Sequence, residues 1–129
     1  MAEALRAPIL IVEDNAETRD VLQRVLQMSG YDAVTVTDGL DALAYLRGGG
    51  GATAIVLDIE MPRLDGFALR RALSADPRFA SIPIIAYTAN WNCRMQNVLG
   101  VYRKGRDDPN RLLEMLAVAC GRAEPSRSH

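Results

Sequence analysis

Glu13 and Asp14 form an adjacent acidic pair, and Asp58, Thr88 and Lys104 each close or follow a short apolar or β-branched run. Gathered in one place, these five side chains would pose a problem of charge and also offer its solution. Two carboxylates about 4 Å apart repel by roughly 4 kcal/mol at an effective dielectric of about 20. Glu13, Asp14 and Asp58 would therefore need a cation or raised pKa values. An all-oxygen donor set without His or Cys suits a hard ion, Mg²⁺ first, with waters completing the octahedron. Lys104 adds a fixed positive charge and Thr88 a hydroxyl donor. A carboxylate beside a divalent ion, a lysine and a hydroxyl is a good phosphoryl acceptor, because the metal and the lysine offset the charge on the transferred oxygens.

Taken singly, each residue has an ordinary reading. An acid after a strand is often only a helix N-cap, which suffices for Asp14 or Asn15. Asp65 reads as a turn or cap residue. Thr88 alone would be a strand-end threonine, Lys104 a solvated lysine and Glu13 a surface acid. The functional reading rests on five coincident strand ends.

Those ends follow from the order of elements. The run "APILIVED" predicts a strand over Pro8 to Val12 with acids at its end. In "NAETRDVLQRVLQMSG", Val21, Leu22, Val25, Leu26 and Met28 share a predicted helical face, and Gly30 ends the helix. "YDAVTV" is a second strand. Asp38 is a predicted N-cap for "GLDALAYLRG", with Leu43 and Leu46 pointing one way, and Gly48 to Gly51 form a flexible loop. "ATAIVLD" is a third strand, followed by turns at Pro62 and Asp65-Gly66. "GFALRRALSAD" is a helix closed before Pro77. In "SIPIIAYTA", Pro83 belongs at a strand's beginning. "NVLGVYRK" is a weaker strand. In "DDPNRLLEMLAVACG", Asp108 suits the N-cap, Pro109 the first helical position and Gly121 the stop. Residues 1–7 are an N-terminal extension and 121–129 a disordered tail around one domain, 8–120. Alternation of solidly apolar strands with helices predicts an α/β, doubly wound parallel sheet with helices on both faces. Ligands of such sheets sit at the carboxyl ends of the strands.

Composition narrows the classes. With 129 residues, a formal charge of −1 and no basic stripe, nothing points to direct nucleic-acid binding. The N-terminal "MAEALRAP" lacks the apolar run of a signal peptide, and no stretch approaches a membrane span. Cys93 and Cys120 are predicted free thiols of a reducing cytoplasm. His129, the only histidine, is the last residue, which disfavours a Ser-His-Asp triad or a His-ligated zinc. "RGGGGAT" lacks both GxxxxGK[ST] and GxGxxG and reads as a loop.

The motifs "ILIVEDN", "DGLDAL", "IVLDIEMPRLDG" and "PIIAYTA", with a lysine before the last helix, resemble the receiver domain of two-component response regulators over about residues 8–120. The resemblance implies a five-stranded, flavodoxin-like sheet of order 2-1-3-4-5. It also implies roles. Asp58 matches the phosphoacceptor, Glu13 and Asp14 the Mg²⁺-holding pair (Asp14 directly, Glu13 through water), and the Glu60 backbone carbonyl a further metal ligand. Thr88 matches the switch hydroxyl and Lys104 the lysine that pairs with the phosphoryl group. Glu60 and Asn90, two past Asp58 and Thr88, match positions that tune phosphoryl lifetime, and the small Ala89 fits access to the site. The implied partners are a sensor histidine kinase or histidine phosphotransferase and an unidentified downstream protein, in the cytoplasm and away from any membrane. The implied chemistry is confined to the chain's own phosphorylation and dephosphorylation. Trp91 would report Mg²⁺ titration by fluorescence.

Three departures stand out. Gly105 replaces the proline usual after the lysine. Val101 replaces the aromatic residue usual three before it, with Tyr102 offset by one. The Thr88–Lys104 segment is short, so the fourth helix is expected to be shortened or irregular. If Lys104 keeps its register, Tyr102 shares its face and Val101 takes the opposite one. No output domain is expected, leaving a free-standing regulator or a receiver cut from a hybrid kinase, whose receivers "PIIAYTAN" resembles. Two competing functions are a phosphorylation-independent protein-binding module and a small aspartyl-phosphate phosphatase like the haloacid dehalogenase group. The latter usually carries its nucleophile on the first strand and needs room for a cap domain.

Overall fold

Short β-branched runs bounded by turn residues alternate with capped amphipathic stretches, and a computed structural model converts that pattern into a single sheet. It describes residues 7–61, 64–90, 92–95 and 98–121. In chain order the elements are β1 (Ile9–Val12), α1 (Ala16–Met28), β2 (Ala33–Val36), α2 (Gly39–Arg47), β3 (Ala54–Asp58), α3 (Gly66–Ser74), β4 (Ile84–Thr88), β5 (Gly100–Arg103) and α4 (Pro109–Ala119). The five strands are all parallel, in order β2-β1-β3-β4-β5. Pro8 lies just before β1, whereas Pro62, Trp91, residues 1–6 and residues 122–129 lie outside the described residues.

Side chains alternate between two faces along each strand. Ile9, Ile11, Val56, Ile85 and Tyr102 pack under α1 and α4 with Leu22, Leu26, Leu112 and Leu116. Leu10, Val12, Ile55, Leu57 and Ile84 pack under α2 and α3 with Leu43, Leu46, Leu69 and Leu73. A smaller cluster of Ile59, Ala86, Cys93 and Met95, with Val98 and Val101 against it, fills the β4–β5 corner.

Each helix begins where the sequence supplies an acceptor. Asn15, Asp38, Asp65 and Asp108 cap α1 to α4 by accepting from the amides of Thr18, Asp41, Ala68 and Asn110. Of the two cap candidates before α1, Asn15 takes the role, which leaves the Asp14 carboxylate uncommitted to the helix. Gly66 must lack a side chain: a Cβ there would lie 2.8 Å from Ile59 Cα and 2.9 Å from the Asp58 carbonyl oxygen.

One expectation is corrected. Only Leu22 and Leu26 of the predicted α1 face are buried, while Val21, Val25 and Met28 are 56%, 36% and 82% exposed. Val21 and Val25 sit one position, about 100° of helix rotation, away from the Leu22–Leu26 row that meets the sheet. The fourth helix expected between β4 and β5 takes its irregular form. Among the described residues of 89–99 there are turns and bends but no helix, and the chain's fourth helix is the C-terminal α4. The segment is instead tied by Cys93 N–H to the Asn90 carbonyl at 3.0 Å and Leu99 N–H to the Ile84 carbonyl at 2.7 Å.

Candidate functional site

Strand parity selects the side chains that meet. Glu13 follows Ile9 and Ile11, Asp58 follows Ala54 and Val56, and Lys104 follows Tyr102, so all three rise on the α1/α4 face at the carboxyl edge. One carboxylate oxygen each of Glu13, Asp14 and Asp58 lies within 4.8 Å of the others. Glu13 and Asp58 are buried, 1% and 6% exposed, and Asp14 is exposed. Lys104 Nζ donates to Glu13 Oε1 at 2.8 Å and stands 3.6 Å from Asp58 Oδ2.

Backbone donors hold the two buried acids. Asn15 N–H donates to Glu13 Oε2 at 3.2 Å, and Glu60 N–H donates to Asp58 Oδ1 at 3.2 Å. Arg19 pins the turn after β1 by donating to the carbonyls of Glu13 and Asp14 at 3.1 and 3.4 Å. Burial pushes the Asp58 carboxyl up to about 7, and its hydrogen bond with Glu13 adds to the rise, against the opposing charge of Lys104. Burial also acts upward on Glu13, but its hydrogen bonds with Asp58, Lys104 and the Asn15 amide outweigh it and hold Glu13 below its ordinary value. Physically, two buried carboxylates with one neighbouring ammonium share a proton.

The remaining predicted residues fall at the same edge. Thr88 ends β4, fully buried, with Oγ1 accepting from Asn90 N–H at 3.0 Å. Lys104 N–H donates to the Thr88 carbonyl at 2.8 Å, which extends the β4–β5 ladder and fixes the lysine's register. Glu60 has an exposed side chain and touches the site through its backbone amide. Asp65 stays apart as the α3 cap. Cys93 and Cys120 form no disulfide, and Cys93 is buried.

Two contributors were missed by sequence reasoning. Arg19 carries no signal beyond lying in the first helical turns. Tyr87 carries none beyond neighbouring Thr88, yet its ring lies beneath Lys104 Nζ, 4.6 Å from the centroid. Only the pairing Tyr87↔Tyr102 could have singled it out, and that requires the β4–β5 register.

The site suits a hard divalent cation on the structure's own terms. Its donors are all oxygen, two of the three carboxylates are buried together, and Asp58 is pushed toward neutrality where no added positive charge balances it.

The sequence profile described as the response regulator receiver domain matches residues 9–107. A stretch of 109 residues is 36% identical to a hybrid signal transduction histidine kinase of Dictyostelium discoideum, covering 81% of this chain and 6% of that protein. Over 115 residues the chain is 34% identical to a DNA-binding dual master transcriptional regulator of Synechocystis, covering 84% of this chain and 46% of the regulator. The chain thus spans less than half the length of these relatives. Among solved structures, it is similar to the receiver domain of a sensor histidine kinase from Pseudomonas aeruginosa with a magnesium ion coordinated in its active-site cleft. That match has a TM-score of 0.78 at 28% identity and covers 90% of this chain and 99% of the other.

Proposed function

We propose that this chain, which belongs to the response regulator receiver domain family, accepts a phosphoryl group from a phosphorylated histidine onto Asp58 and signals by the change of shape that follows. The observation that carries this reading is one buried carboxylate at a strand end, 3.6 Å from a lysine ammonium and inside an acidic cluster within 4.8 Å. An Asp58 oxygen attacks phosphorus, the new O–P bond forms as the P–N bond breaks, and the departing imidazole nitrogen keeps the electron pair. Water later attacks the phosphoryl group, releasing phosphate and restoring the carboxylate. Lys104 offsets charge on the phosphoryl oxygens, and the Thr88 hydroxyl can donate to one of them while accepting from Asn90 N–H.

Glu13, Asp14, Asp58 and the Glu60 carbonyl are the groups that would hold Mg²⁺. When bound, the ion supplies positive charge opposite the transferred oxygens. The magnesium-bearing Pseudomonas receiver supports this assignment. The chain would act as a phosphoprotein that catalyses only its own phosphorylation and dephosphorylation. Its upstream partner would be a sensor histidine kinase or histidine phosphotransferase, a choice that the kinase-borne relative supports. Its downstream partner would be a protein, not nucleic acid or membrane, and its place the cytoplasm. Among the described residues no helix is long and apolar enough to cross a membrane.

The test is labelling with acetyl phosphate in Mg²⁺, read by mass spectrometry of intact and digested protein. Wild type is expected to carry the group on Asp58 alone, and Asp58→Asn none. Label on Asp14 or Asp65 would overturn the assignment. The irregular β4–β5 connection favours a second reading, a binding module indifferent to phosphorylation. A partner held equally well by wild type with beryllofluoride, wild type without it and Asp58→Asn would establish that reading instead.

A further inference from the structure

Lysine is a point charge on a flexible four-carbon stem, and such a stem has to be held if its ammonium is to meet a phosphoryl group in one place. Here the residue after it offers no side chain for packing: Gly105 turns through φ +77°, with open space where a Cβ would stand. The hold comes from across the strand pair. Lys104 Nζ lies 4.6 Å from the centroid of the Tyr87 ring. Tyr87 in turn stacks on Tyr102, with ring centroids 5.2 Å apart and planes within 6° of parallel. The two tyrosines are register partners in the β4–β5 ladder, so the backbone fixes their spacing. Tyr102 is anchored at its far side. It is 6% exposed, packs with Leu112 and Leu116, and its hydroxyl donates to the Asp107 carbonyl at 2.8 Å.

We propose that Tyr87 is a positioning residue for Lys104: its ring face, braced by Tyr102, holds the ammonium over the acidic cluster and guides it from Glu13 to a phosphoryl oxygen on Asp58. The role rests on the phosphoacceptor reading of Asp58. The geometry makes the movement small. Nζ is 2.8 Å from Glu13 Oε1 and 3.6 Å from Asp58 Oδ2, so a shift of about 1 Å exchanges the two partners within the reach of a cation–π contact, about 6 Å. The aromatic pair lies on the α1/α4 face, with Glu13 and Asp58, and not in the β4–β5 corner where Val101 packs. Tyr102, displaced from the usual aromatic position, thereby gains a different use: it stiffens the support of the lysine.

The experiment compares wild type, Tyr87→Phe and Tyr87→Leu, with acetyl phosphate as donor and Mg²⁺ present. In the reaction followed, the P–O bond of acetyl phosphate breaks, acetate leaves, and an Asp58 O–P bond forms. Tyr87→Leu is expected to slow labelling roughly three- to tenfold, the range of a partly desolvated cation–π contact, and Tyr87→Phe to restore the rate to within about twofold of wild type. A second readout separates positioning from general damage. The ε-methylene protons of Lys104 should be displaced upfield by the ring in wild type and Tyr87→Phe, and return to the ordinary position in Tyr87→Leu. Equal rates for wild type and Tyr87→Leu, or a Tyr87→Phe variant as slow as Tyr87→Leu, would overturn the role. Should Tyr87→Leu not fold, wild type alone decides. An ε-methylene signal that stays upfield on adding beryllofluoride supports guidance along the ring, and one that moves to the ordinary position refutes it. A wild type that takes no label on Asp58 would fell the phosphoacceptor reading and this role together, whereas a labelled wild type with an indifferent Tyr87→Leu would fell this role alone.

Discussion

In the adjacent central strands β1 and β3 every residue is buried, and the chain passes directly from strand to acid. At the β4–β5 half, β5 has one buried residue in four, and the connection leading to it contains no helix among the described residues. Both halves contribute to one site, yet they hold their side chains differently. Glu13 and Asp58 are placed by interior strands with helices on both faces, so their positions follow from the core. Lys104 sits beyond an edge strand and is placed by contacts outside the core: Glu13, Asp58 and the Tyr87 ring. Charge placement at the Glu13–Asp58 edge is therefore a property of the fold, whereas the β4–β5 edge has room to vary without disturbing it.

The largest expected contrast is in stability. Leu10 in β1 is fully buried, and Leu10→Ala should cost about 2–5 kcal/mol in denaturant unfolding. Val101→Ala in β5, half-buried in the small corner cluster, should cost about 1 kcal/mol. Equal costs would show that β5 is as deeply built into the core as β1.

Next comes pH. Asp58 titrates at about 7 in the folded chain, against 3.8 for an ordinary Asp. Its contribution to stability is thus fully present below about pH 4 and lost as pH rises to about 7. In chelator, Asp58→Asn should gain on wild type across that window by up to about 4 kcal/mol. Glu13, held below its ordinary 4.5, acts with the opposite sign and in a lower window, so the range from pH 5 to 7 isolates Asp58. Urea unfolding at a series of pH values checks this, and a constant difference between the two proteins would contradict the buried shared proton.

A smaller effect is expected from the exposed acid. Asp14→Asn should lower Mg²⁺ affinity at least tenfold by calorimetry, about 1.4 kcal/mol. Its unfolding midpoint in chelator should stay near that of wild type, because Asp14 neither caps α1 nor enters the core. Unchanged calorimetry would remove Asp14 from the metal site.

The smallest effect concerns the β4–β5 edge. Beryllofluoride should shift the amides around Asp58 and Thr88 strongly, and those of Leu99 to Arg103 and α4 weakly. Tyr102 is already buried and hydrogen-bonded, and Val101 has no ring to swing. Large shifts through β5 and α4 that disappear in Thr88→Ala would show the two halves to be tightly coupled.

Most of the frame was readable from local pattern. Apolar runs, N-caps at Asp38 and Asp108, and Pro83 and Pro109 at element starts act over a few residues, and the structure places elements within one or two residues of those marks. The alternation of side chains along β5 likewise foretold that Tyr102 and Lys104 would share a face. Periodicity misjudged α1, because the breadth of its apolar stripe does not reveal how much of it the sheet can reach.

The sequence by itself determined the chemical inventory and its sheet edge: three carboxylates, a hydroxyl and a lysine at or just past strand ends, with the strand period aiming Glu13, Asp58 and Lys104 to one face. That information is local, since strand direction and the period of two suffice. Tertiary structure alone decided that Lys104 contacts Glu13 more closely than Asp58, that Asp58 is driven toward neutrality, and that Tyr87 and Tyr102 stack beneath the lysine. Each of these depends on distances between residues far apart in the chain, set by strand register and by the burial that weakens solvent screening, and neither is written in any single segment.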